Sequence, residues 1–423
     1  MGAPVPLIGL LAFGSVVLLA MLLVHGYLWF RLVRGTTRPG KLRRRLTLLT
    51  VVLALLPSLA VMLRRTLPPG DAAPLNCEAY SRLGVAFYAL VALLALEPVR
   101  LVGNLWSRRR EPKVVPGAAR RAAQQDSGTA PDRGAVREDG KVLHRRLFLA
   151  RSLAVTAGAV ALSAAGTGAY FANSPPVVRR VPVTLAGLDP ALDGLRIATF
   201  SDGHLSATYG GRRFERVVEL VNAQRPDVVA IVGDLVDGEV SELREEVARL
   251  ADLVSEQGVF FVTGNHEYFV DTGAWLRHLP TLGVDVLHNE RAAIRRGAAT
   301  FDLAGIDDRT AASSGVPGHG ADLDAALDGR DDATPVVLLA HQPVMIDRAR
   351  AAGVGLQLSG HTHGGQLWPF DYVIRLDQPA VEGLSRHGNT QLYVSPGVGY
   401  WGPPMRVGAR PEVTVVELRA PTP

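Results

Sequence analysis

Five short apolar runs in the second half of the chain each end in side chains that can hold a metal. Leu195–Phe200 runs into Asp202-Gly203-His204, Asp227–Val232 into Gly233-Asp234-Leu235-Val236-Asp237, and Val259–Thr263 into Gly264-Asn265-His266-Glu267. Pro335–Ala340 runs into His341, and Leu356–Leu358 into Gly360-His361-Thr362-His363. Pooled, Asp202, His204, Asp234, Asn265, His341, His361 and His363 supply imidazole, carboxylate and amide donors without a thiolate. Such a set suits two divalent ions such as Mn, Zn or Fe and argues against a cysteine-built structural zinc. Two cations about 3.5–4 Å apart clamp phosphoryl oxygens and turn a bridging water into hydroxide near neutral pH, which is what hydrolysis of a phosphate ester requires. His361 and His363 sit two positions apart, so on an extended segment both would point to one face.

Positioning these groups takes strands. The runs are rich in β-branched residues, and segments with helical spacing, Arg213–Ala223 and Ser241–Ser255, lie between the first three. Alternation of this kind predicts an α/β layered domain with its functional groups on loops beyond the carboxyl ends of neighbouring strands.

The ordered blocks Asp-x-His, Gly-Asp-x-x-Asp, Gly-Asn-His-Glu, His and Gly-His-x-His resemble the calcineurin-like metallophosphoesterases. The longer string Gly360–Gln366 (GHTHGGQ), with Ser395-Pro396-Gly397 after it, resembles the membrane-linked bacterial phosphodiesterase branch of that family. The likeness runs from Val181 to Leu418 and implies a four-layer α-β-β-α sandwich, two packed β-sheets flanked by helices, over about residues 181–420. It also implies roles. Asp202, His204 and His363 would hold one metal, Asn265, His341 and His361 the other, and Asp234 would bridge them. His266 would act as general acid or as donor to the phosphoryl oxygens, suited by an imidazole pKa near working pH. Asp237 would orient the ligands from behind, and Glu267 would do the same or cap the next helix.

The first half of the chain has a different texture. Of 423 residues, 48% are hydrophobic and 20% charged, which excludes a disordered or collagen-like chain, and the lone Cys77 excludes an internal disulfide. Residues 1–180 carry 25 Lys/Arg against 8 Asp/Glu, whereas residues 181–423 carry 20 against 32. Because the basic half is also the apolar half, its charge reads as membrane topology rather than nucleic-acid binding. About four transmembrane helices are expected. Three fall within residues 1–106, at about 6–30, 46–63 and 83–105, the third interrupted by Glu97 and Arg100, which could pair. Residues 107–146 read as a basic, flexible cytoplasmic linker, and 147–172 as a fourth helix or, after Arg145-Arg146, a twin-arginine-like signal anchor.

Seven Lys/Arg in Arg31–Arg45 and eleven in Ser107–Arg146 keep those loops cytoplasmic. The expected location is therefore multi-pass in the cytoplasmic membrane with the 181–420 domain outside. The partners to expect are membrane lipids and a phosphate ester, diester or monoester, on a lipid or cell-envelope molecule. Two other classes stand beside this one: a non-catalytic metal-binding sensor or scaffold, and a transporter built on Glu97 and Arg100. His278, His288, His319 and His387 lack motif partners and read as surface or structural. Trp368, Tyr400 and Trp401 read as the lining of a substrate mouth.

Overall fold

The computed structural model describes the backbone of residues 7–63, 69–109, 133–206 and 208–421. Two compact units emerge, one holding residues 1–12, 60–81 and 166–423, the other residues 13–59 and 82–165.

The amino-terminal half is helical: α1 (Leu7–Leu28), α2 (Lys41–Leu63), α3 (Pro69–Arg109) and α4 (Arg133–Asn173). Among the described residues two stretches are long and apolar enough to cross a membrane, Ala73–Trp106 and Arg145–Asn173, rather than four. At about 1.5 Å per residue both exceed a hydrocarbon core roughly 30 Å thick. The expected second span, 46–63, belongs to α2 and holds Pro57, and its last residues lie outside the described side chains. The expected first span, 6–30, lies partly outside the described residues. So does most of the linker 107–146. Glu97 does not break α3. Its carboxylate accepts from Tyr27 Oη (2.7 Å) and pairs with Arg31 (2.9 Å) and Arg100 (2.7 Å), so the charge is satisfied inside the helical unit.

The carboxyl-terminal unit is built on twelve strands among the described residues. One sheet orders β1 (Val177–Thr184), β12 (Glu412–Arg419), β2 (Arg196–Phe200), β3 (Val228–Val232), β4 (Val259–Val262) and β5 (Val284–Val286). β2 to β5 run parallel, with Ile197 opposite Val228 and Ala230 opposite Phe260. The other sheet orders β10 (Gly383–His387), β11 (Thr390–Val394), β9 (Leu356–Ser359), β8 (Val336–Leu339), β7 (Ala299–Gly305) and β6 (Glu290–Arg296). Here β7, β8, β9 and β11 are parallel and the edges antiparallel.

Side-chain alternation explains the layers. Ile197, Val228, Ala230, Val232, Leu339 and Leu358 point between the sheets and form one core. Ala198, Phe200, Val229 and Ile231 point the other way, onto Phe214, Val217 and Val221 of α5 (Arg212–Ala223) and Leu243 and Val247 of α6 (Val240–Val247). On the far side Ala304, Val336 and Leu338 meet Met345 and Ala349. Each fully buried side chain contributes about 1.5–3 kcal/mol. Two mixed sheets flanked by helices result. α6 stops at Val247 and continues only as a 3-10 turn, Ala248–Asp252, short of the helix expected to Ser255. The unit also begins earlier than expected, since β1 starts at Val177 and Ala172 of α4 belongs to the core of this unit.

Candidate metal centre

Every sequence-predicted site residue lies on a loop that follows β2, β3, β4, β8 or β9. Backbone bonds lace the loops together: Asp202 N–H donates to Gly233 O (3.0 Å), His204 N–H to Asp234 O (3.0 Å), and Gly360 N–H to His341 O (2.9 Å). Asp202, His204, Asp234, His361 and His363 all take positive φ, between 44° and 70°. Non-glycine residues enter that region at a cost, and five of them beyond the carboxyl ends of β2, β3 and β9 mark a functional constraint. Two glycines make the crowding possible. A Cβ on Gly264 would sit 2.2 Å from Asp234 Oδ1, and one on Gly360 would sit 2.3 Å from Ser201 Oγ.

The donors fall into two groups. Asp202, His204 and His363 form the first: His204 Nε2 lies 3.0 Å from His363 Nε2, and His363 Nε2 lies 3.3 Å from Asp202 Oδ1. Asp234, His341 and His361 form the second, with His341 Nε2 3.2 Å from Asp234 Oδ2. The same Asp234 Oδ2 lies 3.8 Å from His204 Nε2, so this carboxylate stands between both groups. His361 and His363 do not share a face. Their left-handed backbone sends the first to Asp234 and the second to Asp202, contrary to the extended segment expected.

The donor set fits cations. His341 Nδ1 must be the protonated nitrogen, because it donates to the carbonyl of Val232 (2.8 Å). Its Nε2 faces Asp234 Oδ2 at 3.2 Å with no well-formed hydrogen bond. Burial disfavours the charged ring, yet Asp234 raises this imidazole well above its ordinary range, so a bound cation would take the place of a proton there. Asn265 Oδ1 is likewise buried without a partner. Acceptors facing acceptors about 3 Å apart suit ligands that each lie about 2.0–2.2 Å from one ion. Burial and neighbouring His341 push His361 down to about 3, and burial with His204 holds His363 well below the ordinary range, so both stay neutral with lone pairs available. Burial opposes ionisation of Asp234, but His341 and His266 outweigh it and hold its carboxyl well below the usual range.

His266 faces this pair from β4. Its Nδ1 donates to Asp237 Oδ1 (2.6 Å), its backbone N–H to Asp234 Oδ1 (2.8 Å), and its Nε2 lies 4.0 Å from Asp234 Oδ2. Burial disfavours the imidazolium, yet Asp234 and Asp237 raise it to about 9. His204 Nδ1 donates to the same Asp237 oxygen (3.0 Å). Glu267 is wholly buried and caps no following helix; its carboxylate accepts from the backbone N–H groups of Gly264, Asp234, Leu235 and Val236 at 2.7–3.3 Å. It pins the Asp234 loop to the Asn265 loop. Burial and Asp234 raise it to about 7.

Two groups escaped sequence reasoning. Arg406 is fully buried behind the metal loop and donates to the carbonyls of His363, Pro396 and Gly399. Nothing in its Gly/Pro-rich surroundings signals this. His288 and His319 each bind one oxygen of Asp307 through Nδ1, at 2.7 and 3.0 Å. His288, Asp307 and His319 thereby form a further cluster of side chains able to hold a metal, where the sequence suggested only surface or structural histidines. Of the three mouth aromatics, Tyr400 is buried against Tyr209 (centroids 5.3 Å apart), while Trp368 and Trp401 are exposed. Trp401 and the exposed Phe269 flank His266, with centroids 5.7 and 5.1 Å away.

Comparison with known proteins bears on this geometry. A family profile described as calcineurin-like phosphoesterase matches residues 195–365, the stretch carrying all five blocks. The chain is 42% identical over 259 residues to a "Transmembrane protein with metallophosphoesterase domain" of Danio rerio, covering 60% of this chain and 59% of that one. A Bos taurus protein of the same description is 43% identical, over 65% of this chain and 64% of that one. An "Uncharacterized metallophosphoesterase" of Aquifex aeolicus is 34% identical, over 53% of this chain and 85% of that one. The chain thus spans about three fifths of the length of the two vertebrate relatives. Five strand-end blocks, two donor groups joined at Asp234 and the coverage of the Aquifex protein agree: this chain belongs to the calcineurin-like phosphoesterase family.

Proposed function

We propose that the chain is a membrane-anchored phosphoesterase, cleaving phosphodiester or phosphomonoester bonds of lipid or cell-envelope molecules on the outer face of the cytoplasmic membrane. The observation that carries this reading is the position of Asp234 Oδ2, within 4.0 Å of His204, His266 and His341 at once. When bound, two divalent cations would supply charge neutralisation at the phosphoryl oxygens and acidify water. Asp202, His204 and His363 would hold one and Asn265, His341 and His361 the other, with Asp234 touching both. In the reaction a water oxygen bonds to phosphorus and the bond to the leaving oxygen breaks. His266 stays protonated up to about pH 9 and gives its Nε2 proton to that leaving oxygen. Asp237 keeps the ring aimed.

The rim supports an amphiphilic substrate. Gln366 bonds Trp401 through both ends of its side-chain amide, and Trp368 N–H donates to Val407 O (2.8 Å). The neighbouring Arg406 N–H donates to Gly168 O (2.9 Å), in the last turns of a candidate membrane helix. The exposed tryptophans therefore sit one hydrogen-bonded layer from the chain that leaves the bilayer.

The test is hydrolysis by the full chain in detergent. Bis-p-nitrophenyl phosphate and p-nitrophenyl phosphate are offered in turn, with Mn, Zn or Fe added singly. Cation-dependent turnover of one of them is expected, and its absence under every cation would overturn the proposal. A reporter fused after Val178 should be active only on the outer face; activity on the cytoplasmic side would refute the orientation.

A further inference from the structure

The edge that carries the metal loops continues one strand further out on each sheet. β5 lies beside β4 and β7 beside β8, each parallel to its neighbour. His288 stands two residues beyond β5 and Asp307 two residues beyond β7, much as Asn265 follows β4 and His341 follows β8. The loop after Asp307 brings His319 back to the same place. One ligand atom each from His288, Asp307 and His319 lie within 4.8 Å of one another. The proposed reaction uses none of the three.

The framework around them is tightly built. A Cβ on Gly305 would sit 2.4 Å from Leu287 Cβ and 2.6 Å from Val262 Cγ1, so glycine lets the ends of β7 and β5 close up. Asn289 fastens the loops: its Oδ1 accepts from the N–H groups of Asp307 (3.1 Å) and Asp322 (3.0 Å), and its Nδ2 donates to Gly320 O (2.8 Å). Gly320 N–H in turn donates to Asp307 Oδ2 (3.1 Å). The two imidazole rings lie 4.4 Å apart, tilted by 39°, and each Nδ1 faces its own oxygen of Asp307. Tyr268 Oη stands 3.0 Å from His319 Nδ1 and 3.1 Å from Thr263 Oγ1, which joins the cluster to the Asn265 loop.

The charge balance here favours a cation. Asp307 and Asp308 are adjacent and both almost wholly buried. Asp308 is held by Gln342 and Thr310, which carry no charge. Among the described residues no arginine or lysine pairs with either carboxylate, and the basic partners of Asp307 are His288 and His319 alone. Neutral imidazoles satisfy hydrogen bonds without cancelling charge, and buried charges need a counter-charge or a metal. Nitrogen and oxygen donors 2.7 and 3.0 Å apart suit ligands that each lie about 2.0–2.2 Å from a shared ion. Two imidazoles with one carboxylate select zinc and disfavour magnesium and calcium, which prefer oxygen donors. The His288 side chain is 36% exposed, so an ion can enter past it, whereas Asp307 and His319 form the closed floor.

We infer that His288, Asp307 and His319 form a third cation site, taking zinc, with a fourth position left to water. It stands apart from the donors around Asp234 and does not depend on the reaction proposed for them.

Metal analysis of the full chain in detergent tests this, after chelator treatment, reloading with zinc and gel filtration. The parent should retain one more zinc per chain than His288→Ala or His319→Ala. Each variant should bind that ion at least ~100-fold more weakly, since losing even a group behind a ligand costs 10–100-fold. His387→Ala, which removes an imidazole on β10, should match the parent. The difference between the parent and His288→Ala should persist in an Asp234→Asn background; its disappearance would move the ion to the Asp234 centre. Equal zinc content in the parent and both cluster variants would overturn the inference, as would an equal loss in His387→Ala. Displacement of the extra zinc by magnesium or calcium at comparable concentration would overturn the zinc assignment. If His319→Ala does not fold, His288→Ala, at the more exposed position, carries the comparison alone.

Discussion

His204 and His266 donate to one and the same oxygen, Oδ1 of Asp237, at 3.0 and 2.6 Å, with their rings edge to face 4.5 Å apart. One carboxylate thereby fixes the tautomer of a candidate ligand and the aim of a candidate proton donor. Asp237→Asn should cut turnover about 10–100-fold, the usual effect of losing such a partner. Steady-state kinetics with metal analysis checks it, and full activity would remove Asp237 from the machinery.

The same pairing sets a pH dependence. Burial favours neutral His266, but Asp234 and Asp237 raise its pKa to about 9, so the protonated form dominates below that value. A rate that needs this proton should fall as pH rises through about 9. In Asp237→Asn the descending limb should move to lower pH. The raised pKa is also a stability contribution, fully present below about 6.5 and lost as pH climbs through about 9. Rate profiles of the two proteins decide, and an unmoved limb would assign the titration to another group.

If the His266 ring donates a proton, as proposed, rather than joining His204 and Asp234 in holding an ion, His266→Ala should lower kcat by roughly 10²–10⁴ while both metals still bind. Metal content by elemental analysis separates the two roles. Loss of an ion in this variant would make His266 a ligand.

Asp234→Asn should abolish hydrolysis of bis-p-nitrophenyl phosphate, at least ~100-fold, and lower the metal stoichiometry, since it removes the charge shared by both donor groups. Circular dichroism of the variant should match the parent. Retained turnover would dismiss the shared-ligand assignment.

Glu267→Ala should destabilise the protein by about 3–5 kcal/mol, because four backbone amides lose their acceptor, three of them within 2.9 Å. Denaturant titration of the catalytic unit within the full chain measures this. A cost below ~1 kcal/mol would mean that those amides find other acceptors.

The metal centre was largely legible because each donor follows an apolar run, and the runs became neighbouring strands. Asp202, His204, Asp234 and His341 came together for that reason. The division of labour between His361 and His363 was not legible from the residues alone. Spacing says where a side chain points only if the backbone conformation is known, and φ of +70° and +53° belongs to no regular element. Arg406 was hidden for a related reason: its partners are carbonyls, which every residue has. The α6 segment was overextended because its pattern continues into a 3-10 turn, which keeps amphipathic spacing while changing pitch.

Ala172 is only 3% exposed within the catalytic core, and Arg406, which braces the His363 loop, is bonded to Gly168 through its own amide. A protease cutting just before β1 would therefore carry off part of the wall it was meant to spare. Separating the globule from its leading helix and loosening the edge that carries the donor loops become a single event, so that helix is also a component of the site.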